Sequence, residues 1–335
     1  MSKANVVKNT LKPLLLTLSL ACPSLAEPSH KHVAITQFIE HVAVDTVRQG
    51  LLEELAQKGY KEGENLTVSF ENAQGNVATA GQIALKFIGL KPDVIVAIAT
   101  PSAQAMVKAV GKESIPIVFS AVTDPLRAGL VSSLKDHKSH VTGVMDAPPI
   151  KEQMAFIKTL LPEAKTIGIL YNPGDNGSVA SLDTIHEQAK AQGFSVLEAT
   201  PVKSSDIQAA VLQLVGKVDA IYVPLDNMIV SAMPAVSSLA LKHDLPLFTA
   251  DSGSVESGAL ACLGYSYLQA GHKTGEIVSE ILEGKDPAKI AVASPGTTDI
   301  FINRNALEKL KMTLPESISS QAHFYPPSPE LRQAS

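Results

Sequence analysis

Long apolar runs and clustered positive charge are missing from this 335-residue sequence, and it contains only two cysteines, Cys22 and Cys262. After the first 26 residues no stretch of about 18 apolar residues occurs, so we expect no membrane-spanning helix. The net charge is −5 and no cluster of Lys and Arg occurs, which argues against nucleic acid as a partner. Aromatic residues make up only 4% of the chain, and tryptophan is absent.

Recognisable catalytic and metal-binding motifs are missing as well. The sequence contains no C-x-x-C, H-E-x-x-H, Walker loop or G-x-S-x-G motif. We therefore expect no cofactor and no bound metal, and a binding function rather than an enzyme. A catalytic triad that is assembled only in space would leave no such signature.

The first 26 residues have the pattern of a signal peptide. Basic residues precede a short apolar run, and small residues stand where signal peptidase reads. We predict that residues 1–26 are removed near Ala26 and that the protein is periplasmic or secreted. A lipid anchor at Cys22 is the alternative, but Ser19 stands where a lipobox usually has Leu. Cleavage would leave Cys262 alone, so no intrachain disulfide is expected.

Length and composition predict two globular domains. The chain is 45% hydrophobic and 18% charged, which is typical of a folded protein. Its length exceeds the size at which a single hydrophobic core usually stops growing.

The order of the segments predicts an α/β fold that is used twice. Buried-type apolar runs alternate with segments of helical period, as in βαβ units. Two passages match each other in type and order, "PDVIVAIATPSAQAM…IPIVFSAVTDPLRAG" and "VDAIYVPLDNMIVSAM…LPLFTADSGSVESG". We predict two doubly wound parallel-sheet lobes joined by a multi-strand hinge.

The predicted boundaries follow from an extra strand and helix after the second unit. We assign residues 27–146 and about 262–290 to the first lobe, and residues 147–261 and about 291–322 to the second. Several crossings between lobes make a hinge that permits closure around a ligand. Residues 323–335 are predicted to be a disordered tail.

Candidate ligand-binding residues lie just after the predicted strands. In open parallel sheets a ligand binds outside the carboxyl ends of the strands, and the segments at those ends are rich in short polar side chains. One further candidate, Asp146, lies at the predicted crossing between the lobes. The strand-end candidates are Gln37, Phe38, Ile39, Glu40, His41, Thr100, Ser102, Ala103, Gln104, Thr123, Asp124, Asn172, Asp226, Asn227, Ser252 and Gly253.

These residue types suggest a site for a zwitterion. Pro101 stands just inside a predicted helix start, and the free amide N–H groups there bind anions such as a carboxylate. An ammonium group requires a carboxylate, which Asp124, Asp146 or Asp226 could supply. An α-amino acid is the simplest ligand that carries both groups.

Each of these assignments has a purely structural alternative. Asp226 could cap the helix that follows it, and Asp124 could only form a turn with Pro125. Ser102 could be a helix cap, and Phe38 could belong to the core rather than to a ligand wall.

The sequence resembles the ABC-transporter substrate-binding proteins of the tryptophan/aromatic amino-acid (TrpX-like) type. The resemblance covers roughly residues 33–315. It is carried by "ITQFIEHVAVDTVRQGLLEELAQKGY", "PDVIVAIATPSAQA", "PIVFSAVTDPLRAGLV", "VTGVMD", "YVPLDNMIVSA", "SGALACLGYSYLQAGHKTGEI" and "INRNALEKL".

The resemblance implies a type I periplasmic-binding fold and delivery of the ligand to a membrane ABC permease with its ATPase. Transferred by position, it implies that the strand-end segments named above, apart from Asn172, meet the ligand, and it adds Tyr265. An aromatic amino acid (tryptophan, phenylalanine or tyrosine) is the expected ligand, with Phe38 and Tyr265 as ring contacts. We expect a monomer.

Two other functions stay open at this point. A protein of the same fold could present its ligand to a membrane receptor as a sensor. A hydrolase or racemase could use a similar scaffold, and would need an acid–base group such as His41 with Glu40.

Overall fold

The computed structural model describes residues 1–2, 30–111 and 115–326, which form two α/β lobes. The predicted cleavage site near Ala26 and Cys22 therefore lie outside the described residues, as does the part of the predicted tail beyond residue 326. Within the described part of the chain, no helix is both long and apolar enough to cross a bilayer.

The first lobe is built on a five-stranded parallel sheet with strand order β2-β1-β3-β4-β5. Its central strands read as continuous apolar runs because helices cover both faces of the sheet. The elements are β1 (Lys31–Gln37), α1 (Val42–Gln57), β2 (Leu66–Asn72), α2 (Val77–Leu90), β3 (Val94–Ile98), α3 (Thr100–Val110), β4 (Ile117–Val122) and β5 (Val141–Met145).

The second lobe is built on a seven-stranded sheet with strand order β12-β11-β10-β9-β8-β6-β7. The sheet is parallel except where β10 and β11 run antiparallel. Its elements begin with α4 (Ile150–Leu160), β6 (Thr166–Leu170), α5 (Asn176–Ala191), β7 (Ser195–Ala199), α6 (Ile207–Leu214), β8 (Ala220–Val223), α7 (Asn227–Ser231), α8 (Met233–Lys242), β9 (Leu247–Thr249), α9 (Gly253–Glu256) and β10 (Ala261–Tyr265).

The C-terminal part of the described chain returns to the first lobe and then completes the second. Helix α10 (Tyr267–Leu282) packs on α1 and on the first sheet. The remaining elements are β11 (Thr298–Asn303), α11 (Arg304–Lys309), α12 (Glu316–Ser319) and β12 (Ala322–Tyr325). The fold is therefore the predicted pair of doubly wound lobes.

Three boundary predictions differ from the structure. Strand β10 belongs to the second sheet, because it pairs with β9 and β11; only the helix after it lies in the first lobe. Residues 292–293 lie along β5 of the first lobe, where Ala293 N donates to Gly143 O (2.9 Å). Residues 323–325 are not disordered, since β12 pairs in parallel with β11.

These corrections locate the hinge. The described chain crosses between the lobes after β5, between β10 and α10, and between residue 293 and β11. These three crossing segments permit the lobes to rotate against each other through changes in the backbone dihedral angles of a few residues.

Helices α1 and α10 pack closely because glycine stands at the contact. A Cβ on Gly271 would overlap the carbonyl oxygen of Val47, and one on Gly50 would overlap the carbonyl oxygen of Leu268. Leu51, Leu55 and Val278 of the same two helices are fully buried against the sheet. The helix that returns from the second lobe is therefore an integral part of the first core.

This contact can be tested with Gly271→Ala. We expect the free energy of unfolding to fall by about 1–3 kcal/mol, because the added methyl group forces the helices apart. The matched control is Gly81→Ala in α2, where a Cβ would meet nothing within 4 Å. This control should leave stability unchanged or raise it by up to about 1 kcal/mol. Equal denaturant midpoints for the two variants would contradict the close-packing account.

Candidate functional site

A narrow cavity lies between the lobes at the carboxyl ends of the strands. The first lobe contributes residues at the ends of β1, β3, β4 and β5 and the first residue of α10, and the second lobe contributes residues that follow β6, β8 and β9. This is the position that the topology of both sheets favours for a ligand. The lining consists of His41, Ala43, Val44, Ala99, Thr100, Ala121, Thr123, Asp146, Gly177, Leu225, Asp226, Asn227, Val230, Asp251 and Tyr267.

The wall of the first lobe presents two helix starts. Neither α1 nor α3 has a side-chain cap among the described residues, so amide N–H groups of their first turns are free to meet a ligand. The hydroxyl groups of Thr100 and Thr123 lie on the same wall, and both residues are buried. This wall therefore carries the partial positive charge of two helix N-termini.

The start of α3 is held by a strained residue. Ala99 has φ 75° and ψ 151°, a region that residues with a Cβ rarely adopt. Its N–H donates to Ser120 O (3.0 Å), and its carbonyl oxygen accepts from Ala103 N (3.1 Å). The strained residue thus turns the chain abruptly from β3 into α3 and directs the first turn of the helix at the cavity.

The wall of the second lobe presents carboxylates. Asp226 caps α7, accepting from Ile229 N (3.0 Å), and also accepts from Asn172 N (2.6 Å). Asp251 accepts from the backbone N–H and the hydroxyl of Ser254 (2.8 and 2.6 Å). Asp175 does not line this cavity, but it caps α5 and accepts from the backbone N–H of Asn227, which does. All three carboxylates are buried.

A fourth carboxylate, Asp146, lies at the first crossing between the lobes. Its Oδ2 accepts from the hydroxyl of Tyr267 (3.1 Å), while its Oδ1 is buried and has no partner among the described residues. An unpartnered acceptor at such depth is costly unless a ligand or a water molecule supplies a donor.

Burial raises the pKa of three of these carboxyl groups, and for two of them a neighbouring carboxylate adds to the effect. Burial, together with the negative charge of Asp251, raises the pKa of Asp146 to about 7. Burial, together with the charge of Asp175, raises the pKa of Asp226 to about 7. Burial also raises the pKa of Asp251. Negative charge in this cavity is therefore unfavourable by itself and would be stabilised by a cation.

The two lobes touch across the cavity. Asn176 Nδ2 donates to Gln104 Oε1 (2.9 Å), and Arg127 Nη1 donates to Ala180 O (3.3 Å). A Cβ on Gly253 would lie 2.8 Å from Ala43 N of the other lobe. These contacts describe a closed arrangement of the lobes.

The predicted site residues divide into three groups. His41, Thr100, Thr123, Asp146, Asp226 and Asn227 line the cavity. A second chamber lies towards the outside of the cleft, and it is lined in part by Phe38, Ile39, Gln104 and Asn172. The lining of both spaces omits Gln37, Glu40, Ser102, Ala103, Asp124, Ser252, Gly253 and Tyr265.

Most residues of the third group have structural roles. Gln37 is buried and donates to Ile39 O and Asp45 (both 2.8 Å). Asp124 forms a turn by accepting from Leu126 N and Arg127 N. The hydroxyl of Ser252 donates to Tyr265 O (3.0 Å). Glu40 is exposed, so it does not form the acid–base pair with His41 that an enzyme would need.

The structural alternatives are resolved individually. Asp226 is a helix cap and also lines the cavity, so the two roles coexist. Asp124 has the structural role, because it forms the turn with Pro125 by accepting from Leu126 N and Arg127 N. Ser102 does not cap α3, and its buried hydroxyl has no partner among the residues described. Phe38 packs in the core of the first lobe and also reaches the outer chamber.

Sequence reasoning missed Asp175, Asp251 and Tyr267. Asp251 follows β9 directly, so the strand-end argument already pointed to it. Tyr267 lies two residues after the predicted Tyr265, at the start of the helix that returns to the first lobe. Asp175 follows β6 at the start of α5 and could have been found as an N-cap.

Residues 32–324 match the sequence profile of the ABC transporter substrate binding protein family. The chain belongs to this family. Among curated relatives of this substrate-binding protein is the "Tyrosine-binding protein" of Clostridioides difficile (strain R20291). It is 43% identical over 282 residues, which span 84% of this chain and 81% of the relative.

Solved structures show the same fold. A conserved domain protein from Vibrio cholerae is 42% identical, with a TM-score of 0.85 over 88% of this chain and 99% of the other. An ABC domain in complex with L-Trp from Streptococcus pneumoniae is 31% identical, with a TM-score of 0.84 over 88% and 99%.

The comparison with an open relative supports the closed arrangement of this substrate-binding protein. A ligand-free, open structure of a Clostridium difficile substrate-binding protein is 39% identical and covers 89% of this chain and all of the other, but its TM-score is 0.68. The L-Trp complex is less similar in sequence and more similar in structure. A different relative orientation of the two lobes in the open relative accounts for its lower TM-score.

The strain at Ala99 can be tested by Ala99→Gly. We expect the free energy of unfolding to rise by roughly 1–3 kcal/mol, because glycine adopts this backbone conformation freely. Ala105→Gly, inside the same helix, should lower it by about 0.5–1 kcal/mol. Chemical denaturation measures both, and a loss of stability in both variants would contradict the assignment of strain.

Proposed function

We propose that this substrate-binding protein holds an aromatic α-amino acid as a zwitterion between its lobes and delivers it to a membrane ABC permease. The observation that carries the proposal is the opposite polarity of the two cavity walls. Two uncapped helix starts face three buried carboxylates. A zwitterion satisfies both walls, whereas an ion of one sign satisfies only one of them.

The ammonium group is assigned to Asp146 and Asp251. Asp146 Oδ1 is the buried acceptor that has no partner among the described residues, and the two carboxylates are close enough for Asp251 to raise the pKa of Asp146. An ammonium group has three donors and would pair with the charge that both carboxylates carry. A charge-assisted hydrogen bond of this kind is roughly twice as strong as a neutral one.

The carboxylate group is assigned to the wall of the first lobe. Thr100 and Thr123 offer hydroxyl donors, and the first turn of α3 offers backbone N–H groups. Pro101 lacks an N–H, so the donors of this turn come from Thr100 and Ser102. A ligand bound in this way contacts both lobes and therefore favours closure.

The aromatic side chain of the ligand is supported by the relatives and by the lining. The Clostridioides difficile relative is named for tyrosine, and the pneumococcal structure contains L-Trp. Apolar side chains of Val44, Leu225 and Val230 line the cavity beside the polar groups. An apolar wall with a few convergent polar groups is typical of small-molecule sites.

The remaining parts of the proposal follow from the family. The protein would act outside the cytoplasmic membrane after cleavage of its signal peptide, as a monomer and without turnover. The closed lobes would present the ligand to the permease, whose ATPase drives transport.

A ligand series tests the zwitterion directly. We expect L-tyrosine or L-tryptophan to raise the melting temperature, since a ligand at 100 times its Kd adds about 2.7 kcal/mol to the free energy of unfolding. Tyramine lacks the carboxylate and 3-(4-hydroxyphenyl)propionate lacks the ammonium group, so both should bind at least about 100-fold more weakly than L-tyrosine. Thermal shift and calorimetry measure this, and equal binding of either analogue would contradict the proposal.

The variant Asp146→Asn distinguishes an effect on ligand affinity from an effect on the stability of the fold. The affinity for L-tyrosine should fall about 10- to 100-fold, because the buried charge that receives the ammonium group is lost. The ligand-free protein at pH 8 should be as stable as the parent or more stable. A carboxylate whose pKa is raised on folding contributes stability below its unfolded pKa, and this contribution is lost as the pH rises through about 7.

The control for this variant is Asp93→Asn. Asp93 accepts from His32 N near the opposite end of the first sheet and is half-exposed. This change should leave the affinity for L-tyrosine unaltered. If Asp146→Asn also left the affinity unaltered, the ammonium assignment would be wrong.

A further inference from the structure

His41 contributes a hydrogen-bonding atom to the cavity that the zwitterion does not use. The residue precedes α1 in the first lobe, and its side chain does not cap that helix. Its ring lines the cavity, and its Nδ1 atom is buried without a partner among the described residues. A buried ring nitrogen in this position requires a complementary group on the ligand or a water molecule.

The orientation of the neighbouring amide is fixed from the second lobe. Asp175 Oδ2 accepts from the backbone N–H of Asn227 (3.0 Å) and from Asn227 Nδ2 (2.8 Å). Because a carboxylate only accepts, this contact fixes the amide nitrogen on the side of Asp175 and leaves Oδ1 on the other side of the amide group. An amide oxygen accepts hydrogen bonds and cannot donate them.

The contact between Asn227 and His41 determines the tautomer of the ring. Among the groups that act on the His41 ring, the Asn227 side chain raises the pKa of the ring, as a hydrogen-bond acceptor does, although burial outweighs it. From this and from the unpartnered Nδ1 we infer that Nε2 carries the proton and faces Asn227 Oδ1. Burial lowers the pKa of His41 to about 4, so the ring is neutral at neutral pH and Nδ1 keeps its lone pair.

We propose that His41 Nδ1 accepts a hydrogen bond from the side chain of the ligand and so selects aromatic amino acids that carry a donor. The phenol O–H of tyrosine and the indole N–H of tryptophan are such donors, and phenylalanine has none. This assignment rests on the proposed function, because it takes the zwitterion site as given.

The selection acts in the closed state. His41 belongs to the first lobe, whereas Asn227 and Asp175 belong to the second. The proposed link from Asp175 through Asn227 to His41 is therefore complete only when the lobes meet. A ligand without a donor would leave the Nδ1 acceptor buried and unsatisfied in that state, which penalises closure around it.

The first test compares ligands on the unaltered protein by calorimetry. L-Phenylalanine and O-methyl-L-tyrosine should bind about 10- to 100-fold more weakly than L-tyrosine, because neither has a side-chain donor. 1-Methyl-L-tryptophan should be weaker than L-tryptophan for the same reason. Equal affinity for L-phenylalanine and L-tyrosine would overturn the role of His41 and leave the proposed function intact. Absence of binding by all aromatic amino acids would overturn the proposed function itself.

The second test is His41→Leu, with His140→Leu as the matched control. His140 also has a buried ring nitrogen without a partner among the described residues, and it does not line the cavity. His41→Leu should weaken L-tyrosine to the level of L-phenylalanine and leave L-phenylalanine unchanged or improved, whereas His140→Leu should preserve the ratio of the two affinities. Equal losses for both ligands in His41→Leu would show that His41 only shapes the cavity.

A spectroscopic measurement tests the tautomer without any substitution. In the L-tyrosine complex, nitrogen-15 NMR of the His41 ring should show a protonated Nε2 and an unprotonated Nδ1 that accepts a hydrogen bond. Asn227→Leu should abolish this single tautomer. A proton on Nδ1 in the complex of the unaltered protein would overturn the proposal.

Discussion

The closed cleft has to accommodate four buried carboxylates in one small volume, and much of the structure follows from that constraint. Asp146, Asp175, Asp226 and Asp251 are each less than 10% exposed. Like charges that are withdrawn from water disfavour ionisation. Asp175 and Asp226 are stabilised by the N–H groups of the helices that they cap, Asp251 by the N–H and hydroxyl of Ser254, and Asp146 by the hydroxyl of Tyr267. A cation would offset the negative charge that these donors leave.

The opposite wall supplies the complementary polarity without formal charge. Helix starts that have no side-chain cap offer N–H donors, and a strained alanine at the entrance to α3 keeps them directed at the cavity. Glycine at positions 177 and 253 allows the second lobe to approach Thr123 and Ala43 of the first. Because each wall belongs mainly to one lobe, the proposed zwitterion would stabilise the closed form by contacting both. Recognition of the ligand and movement of the lobes would then be one event.

Some parts of this arrangement can be predicted from the sequence, and others cannot. The alternation of apolar runs and helical segments predicted the two lobes. The rule that ligands bind at the carboxyl ends of parallel strands identified Thr100, Thr123 and Asp226 as candidates. Both predictions depend on local sequence pattern alone. The lobe of β10 was predicted wrongly: its sequence is compatible with either sheet, and only pairing with β9 and β11 decides. Tyr267 enters the site because α10 returns to α1, a long-range contact that has no local signature. The direction of the Asn227 amide depends on Asp175, 52 residues away, and could not be predicted from either residue.

A crystal structure of the L-tyrosine complex tests the central claim most directly, since it shows which wall receives which end of the ligand. The account predicts the ammonium nitrogen within hydrogen-bonding distance of Asp146 and Asp251, and the carboxylate at Thr123 and the first turn of α3. A ligand bound in the reverse orientation, or bound outside the cavity between the lobes, would contradict it.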